Sequence, residues 1–161
     1  MELWELVARE SIRDRIARWN SNGDAGRMDQ MVLVLAPDVE FQAAESATLV
    51  GRDAVLAFLT GVKGDKNDAP AATAAPARTG RYLPPGKRPS IRHFTSNPQI
   101  DFESETRAQV RTYYQVLSSF GLDHWGRYLD EFGVVDGEWL ITKRTVTTEG
   151  VDPDGWAAVL A

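Results

Sequence analysis

The chain has 161 residues, 43% apolar and 25% charged, with a formal net charge of −5 and no cysteine. This length and composition predict a single domain over residues 1–161 with one core. Without cysteine there are no disulfides or thiolate sites, and with only two histidines a histidine-rich metal site is not expected. The acidic balance argues against nucleic acid as a partner, because phosphate binding needs a basic face. No apolar run nears the ~20 residues that span a bilayer, and residues 1–5 do not resemble a signal peptide. We therefore expect no membrane partner and a cytoplasmic location.

Three helices are predicted before residue 63. Apolar residues recurring every three or four positions predict helices over 2–21 and 25–35, and a third that opens at 51–53. Gly23 is expected to end the first helix, and a short strand is expected at 39–43. The three apolar stripes are Trp4, Ala8, Ile12, Ile16 and Trp19; Met28, Met31, Val32 and Leu35; and Val55, Phe58, Leu59 and Val62.

Residues 63–90 interrupt this regular pattern. They contain five prolines and an alanine-rich run without apolar periodicity, which predicts a long loop. Basic residues occur between Ala69 and Ile100 without any acidic residue among them. They are Arg78, Arg81, Lys87, Arg88 and Arg92. Such a loop is either a solvated connection or a rim that attracts an anionic substrate or a second subunit, and composition does not decide between them.

The remainder of the chain has the pattern of strands. Four are predicted, over 91–103, 106–118, 124–136 and 138–149. Their short connections predict antiparallel pairing, most clearly at the Asp-Gly pair 136–137. Helices followed by a run of strands predict an α+β fold in which a curved sheet wraps around the first helix.

Four segments resemble the SnoaL-like branch of the NTF2-like superfamily, which includes scytalone dehydratase, bile-acid dehydratase and hexachlorocyclohexane dehydrochlorinase. They are residues 12–24, 92–97, 126–128 and 136–144. The resemblance covers almost the whole chain except 63–90. It implies a cone of three N-terminal helices packed on a curved, mostly antiparallel sheet, and assembly as a homodimer or homotrimer. The reaction is not fixed by it, because folds of this kind serve many functions.

The same resemblance implies three catalytic residues. Asp24 and His93 stand where lyases of this family carry a pair in which the histidine takes a proton from carbon and the aspartate holds the histidine. Arg144 stands where the dehydrochlorinase has an arginine, and it would stabilise a leaving group or an enolate oxygen. Each has an ordinary alternative. Asp24 can cap a helix, His93 can be a core histidine, and Arg144 can pair with an acid on the outer face of the sheet.

Aromatic residues are expected to line a pocket at the mouth of the cone. They are Trp19, Phe41, Phe58, Tyr113, Tyr114, Tyr128 and Trp139. Trp19 stands where relatives place a tyrosine or lysine, so a second proton donor is missing. Tyr113 or Tyr114 can replace it, unless both merely pack in the sheet, and His124 is expected to be structural.

Together these residues predict a cofactor-independent lyase or isomerase. The preferred reaction is loss of water from a cyclic, apolar small molecule such as a steroid, terpenoid or polyketide-like ketone. The alternative is a non-catalytic ligand-binding or dimerisation module that resembles the small subunit of ring-hydroxylating dioxygenases.

Overall fold

The computed structural model describes residues 1–43, 47–62, 91–118, 121–155 and 157–159. The predicted loop at 63–90 lies outside this range, and with it lie four of the five basic residues named above, all except Arg92. No helix within the described ranges has both the length and the apolar character needed to cross a membrane.

The first helix, α1, runs from Leu3 to Asp24 and is the longest in the protein's described part. It ends later than predicted. Gly26, not Gly23, has the positive φ, at 75°, and the N–H of Ala25 still donates to the carbonyl of Ser21 at 3.1 Å. Because Gly26 adopts the left-handed region at no steric cost, it lets the chain leave the helix one turn after the predicted stop.

The second predicted helix is mostly replaced by other structure. Helix α2 covers only Met28–Met31, a 3₁₀ turn follows at Val32–Val34, and Leu35 already begins a strand. Residues 34–36 are all buried, which suits a chain covered on both sides better than the single buried face of an amphipathic helix. Helix α3, Arg52–Val62, follows as predicted from its apolar stripe.

Within the described residues, six strands form one sheet in the order β2-β1-β6-β5-β4-β3. All neighbours are antiparallel except β1 and β6, which are parallel. The predicted α+β architecture with a mostly antiparallel sheet is therefore confirmed, while the two-residue β2 was not predicted. The strands are β1 Leu35–Ala43, β2 Leu49–Val50, β3 Arg92–Ser104, β4 Arg107–Ser118, β5 Gly121–Val135 and β6 Glu138–Val151.

Tight turns join the long strands. Asp136 and Gly137 both have positive φ, 52° and 82°, as the Asp-Gly signal predicts for a two-residue hairpin. The β3–β4 turn lies at residues 105–106, one position later than the predicted centre. Gly126 on β5 is needed for close packing of two strands, because a Cβ there would lie 1.8 Å from the carbonyl oxygen of Thr147 on β6.

The core lies between α1 and one face of the sheet, which we call the inner face. On β4 the inner residues alternate strictly with exposed ones, and none of them is more than 4% exposed. These inner residues are Ala108, Val110, Thr112, Tyr114 and Val116. Ala108 and Val110 share a core cluster with Ala8, Ile12, Ile16 and Trp19 of α1, whereas Tyr114 and Val116 form a second cluster with Tyr128 of β5.

Helix α1 also covers the free edge of the sheet. Strand β3 is an edge strand, whose unpaired backbone groups would otherwise be available to another chain. The Arg9 guanidinium donates to the carbonyl of Ile100 at 3.1 Å, and the Asp24 carboxylate accepts the backbone N–H of His93 at 3.1 Å. The helix is thereby attached to β3 at both of its ends, and one of the two attachments lies in the predicted catalytic pair.

Candidate active site

Asp24 and His93 meet, 69 positions apart in sequence. Oδ1 of Asp24 lies 2.7 Å from Nδ1 of His93, so the contact predicted between them is present. The same carboxylate accepts the backbone N–H of His93 through Oδ2, at 3.1 Å. Because a carboxylate only accepts hydrogen bonds, Nδ1 carries the proton and the lone pair of the neutral ring is on Nε2. The aspartate therefore fixes the tautomer and the orientation of the imidazole at once.

The position of Asp24 is unfavourable for the helix that carries it. It is the last residue of α1, whose final turn contains no basic residue, and a carboxylate at a helix C-terminus opposes the helix dipole. The alternative of a helix cap is wrong, because α2 is preceded by Arg27 and has no side-chain cap. His93, not helix stability, accounts for an acid at this position.

Arg144 is fully buried on the inner face and forms an ion pair with Asp130. Its Nε and Nη2 donate to the two carboxylate oxygens at 2.7 and 2.6 Å. The guanidinium lies between two rings, 4.7 Å from the centre of Trp19 and 4.4 Å from that of Tyr128. The predicted alternative, a pair with an acid on the outer face, is therefore wrong in its location, although an acidic partner does exist.

Burial dominates the electrostatics around this pair. It raises the pKa of Asp130, although the neighbouring Arg144 charge acts to lower it. Burial also raises the pKa of Tyr128 far above its usual range, again against the effect of Arg144. The charges of Asp130 and Asp24 contribute to the same upward shift of the Tyr128 pKa.

A chain of hydrogen bonds and ring contacts links the two charged pairs. The hydroxyl of Tyr128 donates to Oδ1 of Asn20 at 3.2 Å, and Asn20 lies one helical turn before Asp24. The ring of Tyr128 stacks on that of Tyr114, with centres 4.7 Å apart and planes at 18°. Tyr114 in turn donates to the carbonyl of Thr147 at 3.3 Å. These contacts fix both rings on the inner face beside Arg144.

The predicted lining residues divide into two groups. Trp19, Tyr114 and Tyr128 lie beside Arg144 or its stacked ring, and Phe41 continues the group at 5.8 Å from Trp19. Phe58 follows, at 6.5 Å from Phe41. The structure does not bring the remaining two predicted residues to the site.

Tyr113 and Trp139 are the two residues placed elsewhere. Tyr113 is 51% exposed, on the opposite face of β4 from Tyr114, because successive side chains of a strand alternate. Trp139 lies near the β5–β6 turn and packs against Phe102, with ring centres 5.9 Å apart, at the other end of the sheet from His93. Neither can contact a ligand held at His93.

A second aspartate–histidine pair was not predicted. Oδ1 of Asp123 lies 2.8 Å from Nδ1 of His124, and the same oxygen accepts the backbone N–H of Ala157 at 3.1 Å. The Asp123 side chain is fully buried, and the His124 ring packs edge-on against Tyr114 at 5.9 Å. Adjacent acidic and imidazole residues were the available sequence signal, but a local pair does not show which face of the strand it occupies.

Surface hollows among the described residues include one at the start of α1 and one beside Tyr114. One, of about 560 Å³, lies between the start of α1 and β3, with Trp4, Arg9 and Phe102 in its wall. The other, of about 320 Å³, is lined by residues that include Tyr113 and Trp125. Within the described ranges, no group of three or more side chains is arranged to hold a metal ion.

Helices packed on one face of a curved mixed sheet are an architecture that whole families of proteins share. The sequence profile of the SnoaL-like domain matches residues 4–145, and the chain belongs to this family. No curated protein sequence matches the chain significantly.

Solved structures share the fold at low sequence identity. The "Putative Scytalone Dehydratase" of Novosphingobium aromaticivorans superimposes with a TM-score of 0.71 at 23% identity, over 94% of this chain and 91% of that one. LinA does so with 0.70 at 16% identity, over 92% and 90%. The beta subunit of a "putative aromatic-ring-hydroxylating dioxygenase" from N. aromaticivorans gives 0.65 at 14%, over 92% and 93%. At such identities the likeness establishes the fold alone.

Proposed function

We propose that the protein is a cofactor-independent lyase that removes water from a cyclic, largely apolar hydroxy ketone. The observation that carries the proposal is that the Asp24 carboxylate makes two hydrogen bonds to His93, one with ring Nδ1 at 2.7 Å and one with the backbone N–H at 3.1 Å. A base needs a fixed tautomer and a counter-charge for the imidazolium that forms, and Asp24 supplies both.

The steps follow from this arrangement. Nε2 of His93 takes a proton from the carbon next to the ketone, the electron pair of that C–H bond forms a carbon–carbon double bond, and the π pair of the carbonyl moves to its oxygen. The resulting enolate reforms the ketone and expels the hydroxyl group on the next carbon, which takes the proton back from the imidazolium and leaves as water. His93 returns to its neutral form, and the products are an unsaturated ketone and water. The side chain of His93 is 23% exposed, so the ring is accessible to a ligand.

Arg144 fits this chemistry in a restricted way. Two of its nitrogens donate to Asp130, and the third, Nη1, has no hydrogen-bond partner among the described residues. The Nη1 amino group of this buried cation, whose guanidinium contacts the rings of Trp19 and Tyr128, would stabilise an oxyanion strongly because little water screens it. The proposed role is stabilisation of the enolate oxygen.

Aromatic residues favour an apolar ring as the body of the substrate. Trp19, Phe41 and Phe58 form a continuous series of rings beside the charged pairs. Such walls suit ring systems of the steroid, terpenoid or polyketide type, whose few oxygens would be recognised by the polar groups.

The experiment is a screen of cyclic hydroxy ketones of these three types for loss of water, followed by mass spectrometry and by the absorbance of the conjugated product. Wild type should dehydrate at least one compound, and His93→Ala should lower its turnover by about 10²-fold or more. Turnover of that compound by His93→Ala at the wild-type rate would refute the proposal.

A non-catalytic binding module is the second candidate. The likeness to the dioxygenase beta subunit and the engagement of most of the Arg144 guanidinium by Asp130 favour it. It predicts that a ligand found by binding binds His93→Ala as well as wild type and is never converted.

A further inference from the structure

Two buried polar atoms in the described part of the chain have no hydrogen-bond partner. They are Oγ1 of Thr112 and Nη1 of Arg144. Thr112 is 1% exposed and Arg144 fully buried, so neither atom is in contact with bulk solvent in this structure. Buried polar groups are nearly always paired, and each exception calls for an explanation.

Both atoms belong to one patch of the inner face. Thr112 on β4 lies directly opposite Tyr128 on β5, and the adjacent pair on the same face is Val110 with Asp130. Tyr128 and Asp130 are also the two β5 residues that the Arg144 guanidinium contacts, by stacking and by ion pairing. Thr112 and Arg144 therefore stand on either side of β5, and the two β5 side chains that contact the guanidinium are the facing and the diagonal neighbour of Thr112.

A hydroxyl at position 112 brings no benefit to the fold itself. The other inner-face residues of β4 are Ala108, Val110, Tyr114 and Val116, so an apolar residue would suit the position. Valine has the shape of threonine and favours strands as strongly, without a buried hydroxyl that costs free energy when unpaired. The unpaired hydroxyl is explained if a ligand supplies its partner.

We propose that Thr112 Oγ1 and Arg144 Nη1 together donate hydrogen bonds to one oxygen of the ligand, a ketone carbonyl or its enolate. The inference rests on the proposed function, and it adds Thr112 as the residue that makes the site specific for a ketone. Both atoms can donate, whereas Nη1 cannot accept, which selects an acceptor oxygen. The rings of Trp19 and Tyr128 fix the plane of the guanidinium, so the direction of Nη1–H is set before the ligand arrives.

The test compares two ligands of the same shape on defined variants. Cyclohexanone and methylenecyclohexane differ only in C=O against C=CH₂, and their binding is followed by NMR through the β4 amides and the Nε–H of Arg144. Thr112→Val removes the hydroxyl at constant shape, Thr112→Ser retains it, and Thr145→Val makes the same change on the outer face, beside Leu129. Each variant is also melted.

Wild type, Thr112→Ser and Thr145→Val should prefer the ketone, whereas Thr112→Val should lose about 5-fold or more of that preference and melt no lower than wild type. Equal preference in Thr112→Val and wild type would overturn the inference, as would wild type binding both ligands alike. A lower melting temperature of Thr112→Val with unchanged binding would assign the hydroxyl to the fold and equally overturn it. His93→Ala should retain the preference, because binding of the oxygen does not need the base. Failure of the catalytic proposal and failure of this one are therefore distinguishable.

Discussion

His93 and His124 lie on the same face of the sheet, on the two strands that flank β4. In the strand register, both lie directly opposite Val116 of β4. Both rings have Nδ1 within 2.8 Å of an aspartate oxygen, so they are similar locally. Their aspartates differ in burial, since Asp24 remains partly exposed and Asp123 is fully buried. That difference predicts separate roles for the two pairs.

The first prediction compares the two aspartates. Asp123→Ala should lower the free energy of unfolding by about 1–3 kcal/mol, because it leaves the N–H of Ala157 and the ring of His124 without their buried acceptor. Asp24→Ala should cost less, since water can reach the groups it leaves behind. Urea unfolding of both variants measures the difference, and a larger loss for Asp24→Ala would assign that carboxylate to the fold.

The second prediction concerns the catalytic pair. Asp24→Asn retains the shape but removes the charge that stabilises the imidazolium, so turnover on a substrate found in the screen should fall by about 10²-fold or more. The double variant with His93→Ala should be little worse than either single one, because the two residues act as one unit. Additive losses in the double variant would show two independent effects. Thr145→Val is the control for unspecific damage.

The third prediction tests the buried ion pair. Arg144→Met leaves Asp130 buried without a counter-charge and should destabilise the protein by about 3–5 kcal/mol. Adding Asp130→Leu should recover much of that loss, because an apolar pair of similar volume needs no desolvation. Urea unfolding of the single and double variants decides it. If Arg144→Met is as stable as wild type, the ion pair does not hold the inner face together.

Alternation in the sequence predicted the strands well but not which face Arg144 occupies. On β6 a strict alternation would put Trp139, Ile141 and Lys143 on one face. Instead, Lys143 pairs with Glu131 and Ile141 with Phe132, so Thr142 is an extra residue in the ladder. One bulge moves Arg144 onto the inner face together with Ile141. Such an irregularity depends on the pairing of two strands and has no clear signal in either one.

The contact between Asp24 and His93 was predictable only through the family resemblance. The two residues are 69 positions apart, and no periodicity connects them. The sandwich of Arg144 between Trp19 and Tyr128 was not predictable, because it joins a helix and two strands whose packing is decided by the whole core. For Asp123 and His124 the case is the opposite. The sequence showed that the two residues are adjacent, but not that the Asp123 side chain is buried.

The last prediction concerns alkaline pH. Burial holds the pKa of Tyr128 far above the ordinary value near 10, and it raises that of Tyr114 as well. Above pH ~10 the unfolded chain therefore releases protons that the folded chain retains, and the free energy of unfolding should fall as the pH rises from about 9 to 11. Tyr128→Phe removes one of these groups, so its stability should fall less steeply over the same range, although its stability at pH 8 is lowered by loss of the hydrogen bond to Asn20. Urea unfolding at several pH values gives the slopes. Tyrosinate absorbance of the folded protein at pH 11 should be the same in wild type and Tyr128→Phe, because Tyr128 does not ionise there. A smaller signal in the variant would show that the Tyr128 hydroxyl is accessible to base and not sealed in the core.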